Sequence, residues 1–319
     1  MLIPYKEAAA LAGISESAIR VAVSQERLEA FKDGAHKRVR IEDVRKLWPR
    51  AASKAPSGPC RVIALANQKG GVGKTSTVVN LAATLARGGS RVLAIDCDPQ
   101  GNTTQALGVD ADALERTTYH VLDEPTRAAD AILTPIAALP TLQLIGANLE
   151  LSVADVKLGN AVMRETRLRQ ALEPLLTAYD FILIDCPPSL GLATINALMA
   201  ASEVIIPIAP GKFSLSGVRN LFDSIAEVRK FNPSLGSPRA LRNLWERTAT
   251  ATAVSESLEK AFGDRLMKAT VPRSVKVAEA QLQDEPLAIY TEGLSPSARR
   301  TDTAGKAYAA LAEEVKRGA

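Results

Sequence analysis

The run Gln68-Lys69-Gly70-Gly71-Val72-Gly73-Lys74-Thr75-Ser76 lies between an apolar stretch, Arg61–Asn67, and a helical pattern, Lys74–Arg87. Nothing else in the chain constrains the fold as tightly. Closely spaced glycines let a backbone curl until its N–H groups converge on one point. A helix beginning at Lys74 adds the positive end of its dipole there. Strand, glycine loop and helix together make a phosphate-binding unit. Gly70, Gly71, Val72, Gly73 and Ser76 would surround the phosphates, Lys74 would reach the β- and γ-oxygens, and the Thr75 hydroxyl would hold Mg²⁺. The ordinary pattern has glycine where this chain has Gln68, and it lacks a second lysine such as Lys69.

The rest of the body continues the alternation. Arg91–Asp96, Leu142–Ile145, Phe181–Asp185 and Glu203–Ile208 read as buried strands, and Met163–Thr177, Gly191–Ala201 and Ser214–Lys230 as helices. Such alternation predicts an α/β fold, a mostly parallel twisted sheet with helices on both faces. Ligands of these sheets bind at the carboxyl ends of strands. Two acidic boxes stand there: Asp96-Cys97-Asp98-Pro99-Gln100-Gly101-Asn102 and Asp185-Cys186-Pro187-Pro188-Ser189. Phosphoryl transfer needs a metal and an oriented water, which carboxylates at those places can supply.

KGGVGKTS resembles the deviant Walker A box of the ParA/MinD family of ATPases, and the two acidic boxes resemble the family's DxDPQGN and DxPP segments. The resemblance implies a slow, Mg²⁺-dependent ATPase that dimerises when ATP is bound. Lys69 would cross to the partner's nucleotide and act on its γ-phosphate in trans. Asp98 would position the attacking water and approach the metal, Asp185 would hold Mg²⁺ through a water, and Asp96 would orient its neighbours. Downstream, Ala209–Gly217 (APGKFSLSG), Val271–Ala280 (VPRSVKVAEA) and the tail from Gly305 match family segments, so the resemblance covers residues 61–317. The second of these is close to a signature of the ParA partition branch. That branch implies segregation of plasmid or chromosomal DNA with a ParB-type centromere-binding partner. One stretch departs from the family: Arg239–Thr248 (RALRNLWERT) reads as a strand that is polar where the family is apolar, with only the closing Arg-Thr matching. Asn243 and Pro272 are the candidates there for contact with the base, structural roles being the other reading. By position, Arg247 and Lys276 match family cations used for sequence-independent DNA binding, and Arg273 lies on the same segment; a solvated face is the alternative.

Residues 1–50 are a separate head. A helical stretch Tyr5–Leu11, a turn at Gly13, an N-cap at Ser15 and a helix Glu16–Val23 outline a helix-turn-helix. The segments Leu28–Phe31 and Arg38–Ile41 flank a polar turn, like a wing, and Glu42–Trp48 closes with a short helix. The head resembles the winged helix-turn-helix of MerR and excisionase-type proteins. That docking mode would turn Ser15, Ser17, Arg20 and Ser24 toward a major groove and let Lys37, Arg38 and Arg40 grip phosphate or minor groove. A helical protein-interaction module is the alternative. Residues 51–59 (AASKAPSGP) read as a linker, leaving 60–319 as the ATPase domain.

Charge supports this division. Residues 1–58 hold 11 Lys/Arg against 7 Asp/Glu, which accounts for the whole formal excess of +4. Within the neutral body, residues 239–276 hold 8 basic and 4 acidic side chains. Two basic segments suggest two polyanion contacts, solubility being the other explanation. No apolar run is long enough for a membrane span and no signal peptide is present, so a cytoplasmic, nucleoid-associated protein with no membrane partner is expected. Cys60, Cys97 and Cys186 lack CxxC spacing and read as reduced thiols; Cys97 and Cys186 read as buried fillers, not cluster ligands. His36 and His120 read as surface residues without catalytic partners. The competing function is an ATP-gated transcription regulator with no part in segregation.

Overall fold

The computed structural model describes residues 2–12, 16–33, 36–47, 58–211 and 216–318. Near the N-terminus, β1 (Leu2–Pro4), β2 (Ala30–Asp33) and β3 (His36–Arg40) pair antiparallel in the order β1-β3-β2. Three helices, Tyr5–Ala12, Glu16–Ser24 and Ile41–Leu47, accompany them. Ile3, Tyr5, Ala8, Ile19, Ala22, Leu28, Val39 and Val44 form their buried core. The helices and the hairpin follow the pattern read from sequence, whereas β1 was not foreseen. It is three residues long and alternates exposed, buried, exposed, too short to register as a period.

The large sheet contains β4 (Arg61–Leu65), β5 (Val92–Asp96), β6 (Ile132–Leu133), β7 (Leu142–Ile145), β8 (Phe181–Asp185), β9 (Glu203–Ile208), β10 (Arg239–Trp245) and β11 (Leu266–Pro272). Their order is β11-β10-β9-β4-β8-β5-β7-β6, parallel throughout except for the β6–β7 edge. A parallel sheet is apolar on both faces. β5 and β8 accordingly are buried at every residue. One apolar layer packs under the Leu192–Ala200 and Ser216–Arg229 helices. The other packs under Lys74–Arg87 and the C-terminal helix Thr303–Arg317.

Two expectations need correction. The Met163–Thr177 helix is broken into two single turns of 3₁₀ geometry, Arg164–Thr166 and Glu173–Leu175, around an α-helical Arg167–Leu172. Pro174 lacks an N–H and cannot continue the helix. The β4 strand stops at Leu65 because Asn67 leaves the ladder: its amide donates to the Pro207 carbonyl at 2.8 Å, and its Oδ1 accepts the Lys69 N–H at 3.0 Å. The polar segment 239–248 contributes an interior strand, flanked by β9 and β11. Its arginines are answered by helices: Arg239 pairs with Glu314 at 3.1 Å and Arg242 with Glu259 at 2.7 Å. Ser15, Gly13, Lys212–Leu215, Trp48 and linker residues 51–57 lie outside the described residues.

Candidate nucleotide site

The loop after β4 enters the Lys74–Arg87 helix through Gly73, at φ +81°, and no side chain caps the helix. Its first N–H groups are therefore left for a ligand. A Cβ at Gly73 would stand 2.5 Å from Asn243 Nδ2, so both backbone angle and space require glycine. Gly70, Gly71, Gly73, Lys74, Thr75 and Ser76 line a cavity of about 740 Å³ together with Asp98, Asn102, Pro187 and Pro188.

The two lysines are placed differently. Lys74 is buried, and its ammonium donates to the Lys69 carbonyl at 3.3 Å. Burial pulls its pKa down, and Asp185, Cys186 and Asp98 oppose that pull. Lys69 is exposed, and its side chain has no partner among the described residues.

The acids converge because their strands are neighbours: Asp96 of β5 lies directly across from Asp185 of β8. Asp185 is 1% exposed. Its Oδ2 accepts the Thr75 hydroxyl at 2.7 Å and the Thr103 hydroxyl at 2.9 Å, while its Oδ1 is buried without a hydrogen-bond partner. Burial pushes its pKa up to about 6, against the two threonine hydroxyls and Lys74. Asp96 is fully buried and accepts the Asp98 N–H, the Thr104 N–H and the Thr104 hydroxyl. Burial and then the Asp185 charge push it up to about 7. Two carboxylates so close share protons, and they titrate as a pair. Asp98 reaches the cavity itself and receives the Gln100 N–H at 3.0 Å.

An all-oxygen donor set with one buried, unsatisfied carboxylate oxygen suits a hard divalent cation. Thr75, Asp185 and Asp98 thus fit Mg²⁺ in kind. Cys97 and Cys186 are buried, their thiols held neutral by burial, and no group of three or more His, Cys, Asp or Glu side chains placed to hold a metal occurs among the described residues.

Asn243 is fully buried behind the loop. Its amide donates to the Val72 carbonyl at 2.7 Å, the Gly73 carbonyl at 3.2 Å and the Thr77 hydroxyl at 3.1 Å, and its Oδ1 is left without a partner. The next residue, Leu244, has φ +51° and the ladder to β11 slips there. Strain of this kind at a non-glycine residue persists where surrounding contacts impose it. Pro272 is paired with Trp245 at the carboxyl end of β11.

Sequence reasoning missed Thr103, Thr104, Gln281 and Asp284. The threonines follow the DPQGN box directly, and their place in the helix Asn102–Ala106 was the available signal. Gln281 donates to the Ser76 hydroxyl at 2.7 Å and lines the cavity with Asp284. No local pattern marks those two.

The basic positions divide. Arg247 is exposed and has no side-chain partner among the described residues. Arg273 pairs with Glu246 at 3.0 Å, and its N–H bonds the Trp245 carbonyl, which sets it beside Arg247 on one rim. The Lys276 ammonium is donated to the Ala298 carbonyl. In the N-terminal unit, Arg20 pairs within its helix to Glu16 at 2.7 Å. Arg40 lies over the Phe31 ring at 4.5 Å, and the Ser24 hydroxyl bonds the Val21 carbonyl. Ser17 and Lys37 are exposed and Arg38 is half-buried. His120 caps its own helix: its Nδ1 accepts the Thr117 N–H at 3.2 Å and lies 3.8 Å from Glu150.

A parallel sheet that sets an uncapped glycine loop against two strand-end acids defines a P-loop nucleoside-triphosphatase. Comparisons with known proteins narrow the class. Residues 60–236 match a family model described as an AAA domain. The chain is 39% identical over 257 residues to the sporulation initiation inhibitor protein Soj of Bacillus subtilis, covering 80% of this chain and 98% of Soj. It is 38% identical over 263 residues to the chromosome partitioning protein ParA of Caulobacter vibrioides, covering 81% and 95%. The chain belongs to the ParA/MinD family of P-loop ATPases. Among solved structures it resembles cobyrinic acid a,c-diamide synthase of Mycobacterium smegmatis, which carries ADP and magnesium. That match has a TM-score of 0.67 and 31% identity over 81% of this chain and 94% of the other.

Proposed function

We propose that the protein is a partition ATPase: it hydrolyses ATP with Mg²⁺, dimerises around the nucleotide, and moves plasmid or chromosomal DNA with a ParB-type partner. The observation that carries this reading is the unequal placement of the two lysines. Lys74 is buried in its own loop, whereas Lys69, next in sequence to Gly70 of the cavity lining, is exposed and has no side-chain partner among the described residues, so it is free to serve a second subunit.

The residues divide the work by position. The loop N–H groups from Gly70 to Ser76 and the Lys74 ammonium bind the phosphates, and the triphosphate's charge restores the lysine's proton affinity that burial lowers. Thr75 and Asp185 would hold Mg²⁺, with Asp98 close by. Bound there, the cation neutralises β- and γ-phosphate charge. The Thr103 hydroxyl keeps Asp185 oriented, and Asp96 fixes the Asp98 turn through the Asp98 N–H. The Asp98 carboxylate orients the attacking water. Asn243 and Pro272 are the proposed base contacts, Asn243 through its unpartnered Oδ1, which is buried behind the loop and would have to be uncovered for the base to reach it. Arg247 and Arg273 bind DNA phosphates without reading sequence. Residues 1–50, joined by the linker 51–59 to the ATPase domain at 60–319, form a winged helix-turn-helix that binds an operator through the residues named above.

Turnover and molecular mass measured with ATP, with and without DNA, test the reading. Lys69→Ala should retain nucleotide binding and lose ATP-dependent turnover. A wild-type chain that stays monomeric with ATP, or a Lys69→Ala chain with full turnover, would defeat it.

A further inference from the structure

On the face of the large sheet covered by the Leu192–Ala200 helix, the helix layer is incomplete. The segment Met163–Arg169 stands on one side of that helix, the Ser216–Arg229 helix on the other, and between them runs an open slot of about 880 Å³. Hydrogen bonds fix its frame. Asn196 donates to the Arg164 carbonyl and accepts the Leu168 N–H on one wall. Asn232 donates to the Leu198, Met199 and Ala201 carbonyls on the other. The slot is therefore part of the packed fold, not a gap between loosely placed segments.

Its floor is Ile195 and Met199, with Val228 on one wall. Met163 and Phe231 stand open at it, 57% and 71% exposed, against the general rule that large apolar groups are withdrawn from water. Val162, beside Met163, is 86% exposed and extends the apolar surface. The charged residues among the described lining are Glu165 on one wall, Asp223 and Glu227 on the other, and Arg169. Glu165 and Glu227 are engaged only by exposed neighbours, Arg164 and Lys230, and exposed pairs of this sort are weak and exchangeable.

We propose that this slot is a docking groove for an amphipathic helix of a second protein, one carrying lysine or arginine beside its apolar face. The helix would lie over Leu192–Ala200, complete the layer between the two walls, bury Met163 and Phe231, and set its cations against Glu165, Asp223 and Glu227. This is the helix-in-groove mode, in which apolar anchors at i, i+3, i+4 and i+7 fill the floor and flanking charges select the partner. The groove is distinct from the nucleotide cavity but mechanically joined to it. The Leu192–Ala200 helix that forms its floor begins just after Pro187, Pro188 and Ser189, which line that cavity.

The test uses the full chain and two fluorescein-labelled 14-residue peptides of identical helical pattern, one of leucine and lysine, one of leucine and glutamate. Fluorescence anisotropy at physiological salt should show the lysine peptide binding at least tenfold more tightly. Asp223→Lys with Glu227→Lys should reverse that preference, and Ala226→Arg, which fills the slot from an exposed position, should abolish binding. Both variants should keep wild-type ATP binding, because none of these residues touches the nucleotide cavity. Equal affinity for the two peptides, no binding of either, or variants that bind as wild type does would overturn the proposal. So would loss of a peptide-independent dimer in Ala226→Arg seen by sedimentation, which would assign the slot to a second copy of this chain.

Discussion

Asn243→Ala probes the brace behind the phosphate loop. The wild-type amide makes three donations, to the Val72 and Gly73 carbonyls and the Thr77 hydroxyl, from a fully buried position. The Gly73 carbonyl keeps the Thr77 N–H and the Thr77 hydroxyl as donors, so only the Val72 carbonyl loses its recorded partner. A buried carbonyl left unpaired costs about 1–3 kcal/mol and each net hydrogen bond about 1 kcal/mol. A loss of about 2–4 kcal/mol follows, a large share of the roughly 5–15 kcal/mol that holds a domain folded. For a body of this size that is a fall in Tm of roughly 5–15 °C. Asn243→Asp separates donation from packing. It keeps the shape but sets a carboxylate against two carbonyl oxygens, and should be less stable than the alanine variant. Urea unfolding followed by circular dichroism would rank the three proteins, and titration with a fluorescent ATP analogue would report the loop. An aspartate variant as stable as wild type, or an alanine variant within about 0.5 kcal/mol of it, would refute a bracing role for the amide.

Lys74→Ala should weaken ATP binding at least about a hundredfold, by loss of charge-assisted contacts to phosphate; calorimetry showing ordinary affinity would contradict the loop assignment. Asp98→Ala should bind ATP and lose about 10²–10⁴-fold in turnover, and phosphate release at the wild-type rate would remove its role. The ligand-free protein should lose stability as pH rises. Unfolded, Asp96 and Asp185 titrate near 4, but folded they hold protons up to about 7 and about 6, so the folded state binds more protons between those limits. Unfolding at pH 5.5 and 7.5 should show this slope in the wild type and a shallower one in Asp96→Asn; equal slopes would refute the buried pair. Arg247→Ala should lower the salt slope of nonspecific DNA binding by about one unit, and an unchanged slope would place the contact elsewhere.

What could be read from the sequence was whatever its chemistry announces locally. Gly70–Ser76 and the acids ending β5 and β8 are residue types that few backbones need, set at strand ends, and the fold brings them together where the spacing placed them. β10 was placed as a polar strand only by resemblance, since Arg239 and Arg242 are matched by Glu314 and Glu259, roughly 75 and 17 positions away. Only the folded chain shows that a polar run can be an interior strand. Asn243 was picked out as a base contact, but its bond to Val72 spans half the chain and has no sequence signal. The Met163–Thr177 helix failed for an ordinary reason: Pro174 lies inside the stretch and cannot continue an α-helix, which ends at Leu172.

The place of β4 has a consequence for how the molecule is made. It is the first strand of the large sheet to leave the ribosome, yet its partners are β8 and β9. Roughly 120 residues separate Leu65 from its partner Asp185. At about 5–20 residues per second, the glycine loop waits about 6–24 s for the acid it works with. During that interval the nascent chain carries an apolar strand with nothing beside it. The small antiparallel sheet, whose strands all fall within the first 40 residues, has no such delay. The two sheets are thus completed at different times. Any product released before β9 would carry the phosphate loop without the sheet that gives it a floor.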